Sequence, residues 1–256
     1  MARGSEPTLK NAWIAFEGLT NQVHGFCTTR HHGVSDKPFD SLNLGDHVGD
    51  DPSRVSINRQ RLAQWLPDAP TWVRQVHGNS VLVVDGPLES GVVEADALVT
   101  TARGRVLGIL TADCMSVVIC DDAGTVLGLA HAGWRGLVGG VLQAAVVSMR
   151  QQVGTLGRWR AWIGPCISAR AFQVGDDVRE EFLAFDSSLA AYFTPDDAPH
   201  KWRCDLPGIA KAILLGMGAV NVTWCGLCTV NDRANRFFSY RRDGQTGRMA
   251  TVAWLD

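Results

Sequence analysis

VLGILTADCMSVVICDDAGTVLGLAHAGWRG, Val106 to Gly136, is the stretch on which the reading of this chain turns. Two apolar runs rich in β-branched residues, Met115 to Cys120 and Val126 to Ala130, flank the turn-forming Asp121-Asp122-Ala123-Gly124. The pattern predicts a β-hairpin with a four-residue loop. With Cys120 paired to Thr125, that register sets Cys114 opposite His131. Directly opposed residues of an antiparallel pair carry Cβ atoms about 5 Å apart, which suits a thiolate and an imidazole holding one metal ion or sharing one proton. Free cysteine in an apolar strand usually acts as a small buried hydrophobe. Here, however, Asp113 and Cys114 interrupt the strand pair, and His131 opens Ala132-Gly133-Trp134-Arg135-Gly136, a passage from strand to helix. Polar groups so placed need partners.

Working outward, TWVRQVHGNSVLVVD (Thr71 to Asp85) has two valine-rich runs meeting at His77-Gly78-Asn79-Ser80. This is a second hairpin signal, and it sets His77 at a strand end where site residues often gather. Two histidines and a cysteine make a three-ligand set. Zinc sites with three protein ligands keep a fourth position for water or substrate and are typically catalytic.

Asp51 and Pro52 supply an N-cap and a first-turn proline for a helix over DPSRVSINRQRLAQWL. Its apolar stripe, Val55, Leu62 and Leu66, carries Arg59 on the same inward face. Such an arginine either meets an anion or lays its stem over apolar surface. A second helix is expected from Leu137 to Gln152, its N-terminus a potential anion site. The closing NRFFSYRRDGQTGRMATVAWL reads as a strand, an Asp243-Gly244 turn and a last strand. Cys225-Gly226-Leu227-Cys228 lacks a second C-x-x-C pair and sits in a stretch read as a buried strand, so a structural role is expected. Cys166 follows a Gly-Pro turn, and nothing in the sequence makes it a ligand.

The chain has 256 residues, 46% of them hydrophobic, enough for a substantial core. It contains no linker composition, and Thr194 to Pro199 reads as a loop before Trp202. A formal charge of −2 argues against nucleic-acid or anionic-membrane partners. The start lacks an apolar leader, and no apolar run reaches the length of a spanning helix. Seven cysteines, an odd number, do not make a secreted disulfide framework. A soluble, cytoplasmic protein is expected, with no protein partner.

The strings SLNLGDHVGDDP (41 to 52), QVHGNSV (75 to 81), ADALVT (95 to 100), TADC (111 to 114), HAGWRG (131 to 136), IGPCIS (163 to 168) and FFSYRRDGQTGRMA (237 to 250) resemble the YfiH-type family. Its members are called multicopper polyphenol oxidases or laccase-domain proteins, and also purine nucleoside phosphorylases. The resemblance runs from about Gly25 to Leu255. It implies an α+β fold, a single layered domain over 1–256 with mixed β-sheets flanked by helices, which is also similar to the catalytic domain of cytotoxic necrotizing factor toxins. It implies metal ligation by His77, Cys114 and His131, with zinc as the ion and copper as the alternative, and makes the same three residues catalytic. It also implies substrate contacts from Asn58 and Arg59, and from Asn43 and Arg135 in the matching strings. Two departures stand out. His32 occupies a position where the family usually has glycine, and Ser116 one where it tends to have proline.

The implied activity is zinc-dependent phosphorolysis of purine nucleosides (adenosine, inosine, guanosine, methylthioadenosine), with purine nucleoside and phosphate as partners and deamination of adenosine as a side activity. Three other readings compete. A copper polyphenol oxidase would need a copper cluster, yet His24, His31, His32, His47 and His200 form no further ligand set. A cysteine hydrolase would use Cys114 as nucleophile and His131 as base, in editing peptidoglycan precursors. A binding module would hold a purely structural metal. Phe237, Phe238, Tyr240, Arg241, Arg242 and Arg248 offer aromatic faces and guanidinium groups that fit a purine and a phosphate. Cross-strand packing explains the aromatics equally well, and these residues stay outside the expected main site.

Overall fold

A computed structural model describes residues 12–86, 91 and 93–256. The first thirteen residues, on which the expected absence of a leader rests, lie almost wholly outside the described residues. The elements follow as β1 (Trp13–Ala15), β2 (Val23–Thr28), α1 (Pro52–Ala63), β3 (Val81–Val83), β4 (Ala97–Thr100), β5 (Leu107–Thr111), β6 (Met115–Asp121), β7 (Leu127–Ala132), α2 (Trp134–Val138) and α3 (Val141–Val153). Then come β8 (Trp159–Ile163), β9 (Gln173–Gly175), α4 (Asp176–Phe185), a 3-10 turn (Ser187–Tyr192), β10 (Phe193–Pro195), β11 (Lys201–Cys204), α5 (Leu206–Gly216), β12 (Asn221–Trp224), α6 (Tyr240–Asp243) and β13 (Met249–Leu255).

Among the described residues three sheets result: a mixed six-stranded one ordered β12-β8-β6-β7-β4-β3, an antiparallel four-stranded one ordered β1-β2-β13-β5, and a small one ordered β10-β11-β9. The near-continuous apolar runs of β6 and β7 are buried throughout, as strands covered on both faces require. The period-2 pattern sorts them. Met115, Val117 and Ile119 pack with Val141, Leu142 and Ala145 of α3. Val118 and Cys120 face the other way, onto Leu107, Ile109, Met249 and Ala253 of the four-stranded sheet. The outer face of that sheet, through Phe26, Leu110 and Val252, is covered by Leu62 of α1 together with Leu42 and Leu44. The layers therefore run α3, six-stranded sheet, four-stranded sheet, α1, in the α+β arrangement expected.

Several local expectations are corrected. The central hairpin forms, but Ser116 rather than Cys114 opposes His131, and Cys120 opposes Leu127. The cause is Asp121, whose carboxylate accepts from Thr125 N at 2.8 Å, Val126 N at 3.1 Å and Thr125 Oγ1 at 2.6 Å, which widens the loop. The slip is two residues, so each side chain stays on its expected face. Cys114 lies just outside β6. The segment around His77 is not a hairpin, because β3 pairs in parallel with β4 instead.

Helix α1 is capped by Asp51, which accepts from Ser53 N, and it stops at Ala63 rather than running on to Leu66. The expected Leu137–Gln152 helix is broken at Gly139-Gly140, where Gly140 has φ +84°. The closing segment does not form a local hairpin. A one-turn helix, α6, precedes β13, which pairs with β2 and β5 far away in sequence. Strand β12 ends at Trp224, so Cys225 to Cys228 follow it rather than lie within it. His32 keeps a left-handed backbone, φ +73°, in the place of the glycine expected there. Ser116 Oγ lies 2.6 Å from Thr251 Oγ1 and bonds the two large sheets through their core. Among the described residues, no helix is long and apolar enough to cross a membrane.

Candidate metal centre and adjoining cleft

His77 arrives from a loop, Cys114 from the position just before β6 and His131 from the end of β7, and their ligand atoms all lie within 4.8 Å of one another. Cys114 Sγ is 3.9 Å from His77 Nε2. The two imidazole rings stand edge to face, with centroids 4.8 Å apart. His131 is buried, Cys114 half-buried and His77 exposed, so the cluster opens to solvent on the His77 side.

One buried carboxylate organises both histidines. Asp96, immediately before β4, receives a hydrogen bond at 2.8 Å between its Oδ1 and His131 Nδ1, leaving Nε2 for the cluster. The same carboxylate accepts from Val76 N, His77 N and Gly78 N at 3.1, 3.0 and 2.8 Å. These bonds make the turn that the sequence signals as a hairpin, and they hold His77 at φ +60°. A carboxylate behind a histidine fixes its tautomer and raises its basicity as a ligand.

Cys114 is aimed by its neighbour. Asp113 has φ +95°, a conformation L-residues rarely adopt. It is pinned there because its Oδ1 accepts from Thr229 Oγ1 at 2.5 Å and its Oδ2 from Arg241 N at 2.7 Å. Its backbone carbonyl accepts from Ile167 N at 2.9 Å. Gly133 completes the approach, since a Cβ there would come within 2.9 Å of Cys114 Sγ and 3.1 Å of the His77 ring.

Burial works against ionising the Cys114 thiol, but the charges and hydrogen bonds of His131 and His77 outweigh it and lower the thiol to about 6. Burial likewise opposes the His131 imidazolium. Cys114 and Asp96 overcome it and raise His131 to about 9. For Asp96, burial pushes the pKa up, while His131 and the Gly78 and Val76 amides bring it below the ordinary carboxylate value. The result is a thiolate beside two imidazoles, one backed by a carboxylate. That donor set suits zinc, and its softness also admits copper.

The cluster lines one end of a cleft of about 340 Å³, together with His47, Gln75, Leu110, Thr111, Ala112, Tyr240 and Arg248. Gln75 is clamped to the end of β5, donating to Leu110 O at 2.8 Å and accepting from Leu110 N at 2.9 Å. A larger hollow of about 430 Å³ between Trp13 and Trp65 shares no lining residue with this cleft.

None of the four residues expected to contact substrate is among those lining this cleft. Asn58 is buried, donating to Ser35 Oγ, Ser41 O and Asn43 O and accepting from Val34 N, so its amide is occupied in holding the chain over α1. Asn43 is buried too, accepting from Gly45 N and Arg248 N and donating to Gly45 O and Asp50 Oδ2. The anion of Arg59 is Asp46, at 3.2 Å. Its Nε donates to Leu44 O at 3.0 Å, and its guanidinium lies 5.2 Å from the Trp72 ring centroid. Arg59 lines a separate hollow with Pro52, Val55 and Trp72. Arg135 is exposed, its guanidinium stacked over Trp134 at 4.4 Å.

Sequence reasoning missed Asp96 as the organiser and left Tyr240 and Arg248 outside the main site. The signal for Asp96 was present, an acid set between apolar residues in ADALVT. The position of Arg248 depends on β13 pairing beside β5, which no local pattern announces.

The family model described as multi-copper polyphenol oxidoreductase laccase matches residues 24–256. Similar curated proteins include a purine nucleoside phosphorylase of Pseudomonas aeruginosa, 43% identical over 246 residues that cover 96% of this chain and 99% of the relative. Another is the purine nucleoside phosphorylase YfiH of Escherichia coli K12, 43% identical over 231 residues covering 89% and 92% of the two chains. Among solved structures, a Neisseria meningitidis protein superposes with a TM-score of 0.87 at 38% identity, covering 96% of this chain and 99% of that one. YfiH of Bacillus licheniformis gives a TM-score of 0.89 at 30% identity, covering 97% and 98%.

Proposed function

The chain belongs to the multi-copper polyphenol oxidoreductase laccase family, and from that membership we propose that it is a metal-dependent purine nucleoside phosphorylase whose metal is held by His77, Cys114 and His131. The observation that carries this reading is the meeting of those three donors, backed by Asp96, in the wall of an open cleft. The names of its full-length relatives point to the same activity. We read zinc as the ion and adenosine, inosine, guanosine and methylthioadenosine as the nucleoside class, with deamination of adenosine as a side activity.

In phosphorolysis an oxygen of inorganic phosphate bonds to ribose C1′ as the C1′–N9 bond breaks. The purine leaves with the bonding pair and takes up a proton, and ribose 1-phosphate remains. A bound zinc ion would supply a Lewis acid at this point of the cleft, the chemistry that hydrolytic deamination of adenosine also calls on. The chain's own residues bind and orient. Asp96 holds the proton on His131 Nδ1, so Nε2 is the atom turned to the cluster and the one whose proton a bound metal would displace. Leu110 and Ala112 offer apolar wall, and the 63% exposed Tyr240 offers an aromatic face at the rim on which a purine can stack.

One observation favours a second reading. Cys114, His131 and Asp96 also form a thiolate, imidazole and carboxylate relay that would serve a metal-free hydrolase. A single experiment separates the readings: metal analysis of protein purified without added copper, then incubation with adenosine and phosphate before and after chelation. The expected result is one zinc per chain, with release of adenine and ribose 1-phosphate that chelation abolishes. Hydrolysis that survives chelation would favour the thiol mechanism, and copper with phenol oxidation would overturn the phosphorylase reading.

A further inference from the structure

We propose that Arg248 and Thr111 form an oxyanion subsite in the wall of the cleft, built for the inorganic phosphate co-substrate, an assignment that rests on the phosphorylase reading above.

Among the described residues Arg248 is the one arginine lining this cleft, and it is half-buried. Its Nη1 donates to Thr246 O at 2.9 Å and Gly247 O at 3.0 Å, which fixes the plane of the guanidinium. Among the described residues no carboxylate pairs with it, whereas Arg59, Arg160, Arg236 and Arg242 all have ion-pair partners. Asp113 and Cys114 act on Arg248 without forming an ion pair, and both carboxylate oxygens of Asp113 are engaged by Thr229 and Arg241. A guanidinium has five N–H donors in a planar fork. With Nη1 committed, the Nε and Nη2 edge remains, the geometry that meets an oxyanion in bidentate fashion.

Thr111 supplies an independent observation. Its hydroxyl is buried and has no hydrogen-bond partner among the described residues, yet its residue lines the same cleft. An orphaned buried hydroxyl is unfavourable unless something fills the position. Thr111 opposes Met249 across β5 and β13, so its hydroxyl stands at the same end of the strand pair as Arg248. A donor and a desolvated cation thus converge beside Cys114 and His131. A neutral purine would leave the half-buried guanidinium without an ion-pair partner, and phosphate supplies one.

The test measures phosphate dependence at saturating nucleoside in the metal-loaded enzyme and its Arg248→Met, Arg248→Lys and Thr111→Val variants, with calorimetric titration of inorganic phosphate as a direct readout. Loss of a charge-assisted bidentate contact should raise the phosphate KM about 10- to 100-fold in Arg248→Met. The nucleoside KM should stay within about twofold, and lysine should restore part of the loss. Thr111→Val should raise the phosphate KM a few-fold while leaving phosphate-free melting unchanged or higher, because it removes an unsatisfied hydroxyl. Phosphorolysis with an unaltered phosphate KM and unaltered phosphate binding in Arg248→Met would overturn the subsite and leave the phosphorylase reading intact. Wild-type protein that binds phosphate through Arg248 yet releases no purine would overturn that reading and keep the subsite. Should Arg248→Met fail to fold, Arg248→Lys and Thr111→Val decide the matter by the same measurements.

Discussion

Cys114 concentrates the chemistry of the molecule in one atom. Unlike Cys27, Cys120, Cys166 and Cys204, whose burial raises their thiols, it has two imidazoles beside it that bring it down to about 6. Metal-free protein should therefore be alkylated by iodoacetamide at Cys114 first. The rate rises with pH through about 6, because the thiolate is the reacting form and is populated above that value. Peptide mass spectrometry over pH 4 to 9 checks this. A midpoint near the ordinary thiol value would mean that the imidazoles do not face the sulfur, and metal loading should protect the residue.

At the scale of elements, α1 carries two of the residues expected to contact substrate, and in the structure both of them hold neighbouring chain. Asn58 holds the 34–43 segment, and Arg59 holds Asp46, the residue before His47 of the cleft. Arg59→Ala should lower stability in urea unfolding by about 1 kcal/mol, the sum of a part-exposed ion pair and a cation–π contact. The KM for phosphate should not change. A large rise in that constant would mean that Arg59 swings away from Asp46 and reaches substrate. The break between α2 and α3 at Gly139-Gly140 belongs to this scale as well, since it turns α3 back along β7 to cover the face carrying Ala130 and Ala132.

Over the whole molecule, the three donors tie a loop, β6 and β7 together, and Asp96 ties them to β4. A ligand that binds only the folded state stabilises it by mass action, about 2.7 kcal/mol at a hundredfold excess over its Kd. For a chain of this size that corresponds to a rise in Tm of roughly 5 to 10 °C. Calorimetry of chelated and zinc-loaded protein should show it. The difference should vanish in Cys114→Ala, which keeps its fold because it loses one thiol at a cleft wall. An equal shift in that variant would place the stabilising metal elsewhere.

The sequence by itself determined the local features. Apolar periodicity marked β6 and β7, Asp51-Pro52 marked the start of α1, and His77, Cys114 and His131 were legible because each interrupts an apolar or glycine-marked context that needs a polar partner. The hairpin register turned on the side chain of Asp121, a local contact that apolar periodicity does not reveal, and tertiary structure alone decided the pairing of β13 between β2 and β5. It also decided that Asp96 would hold both histidines and that Arg248 would reach the cleft while Asn43, Asn58 and Arg59 would not. The reason is physical. Periodicity and capping act between residues a few positions apart, whereas a carboxylate can receive a hydrogen bond from any amide or imidazole that packing brings within about 3 Å, whatever its distance along the chain.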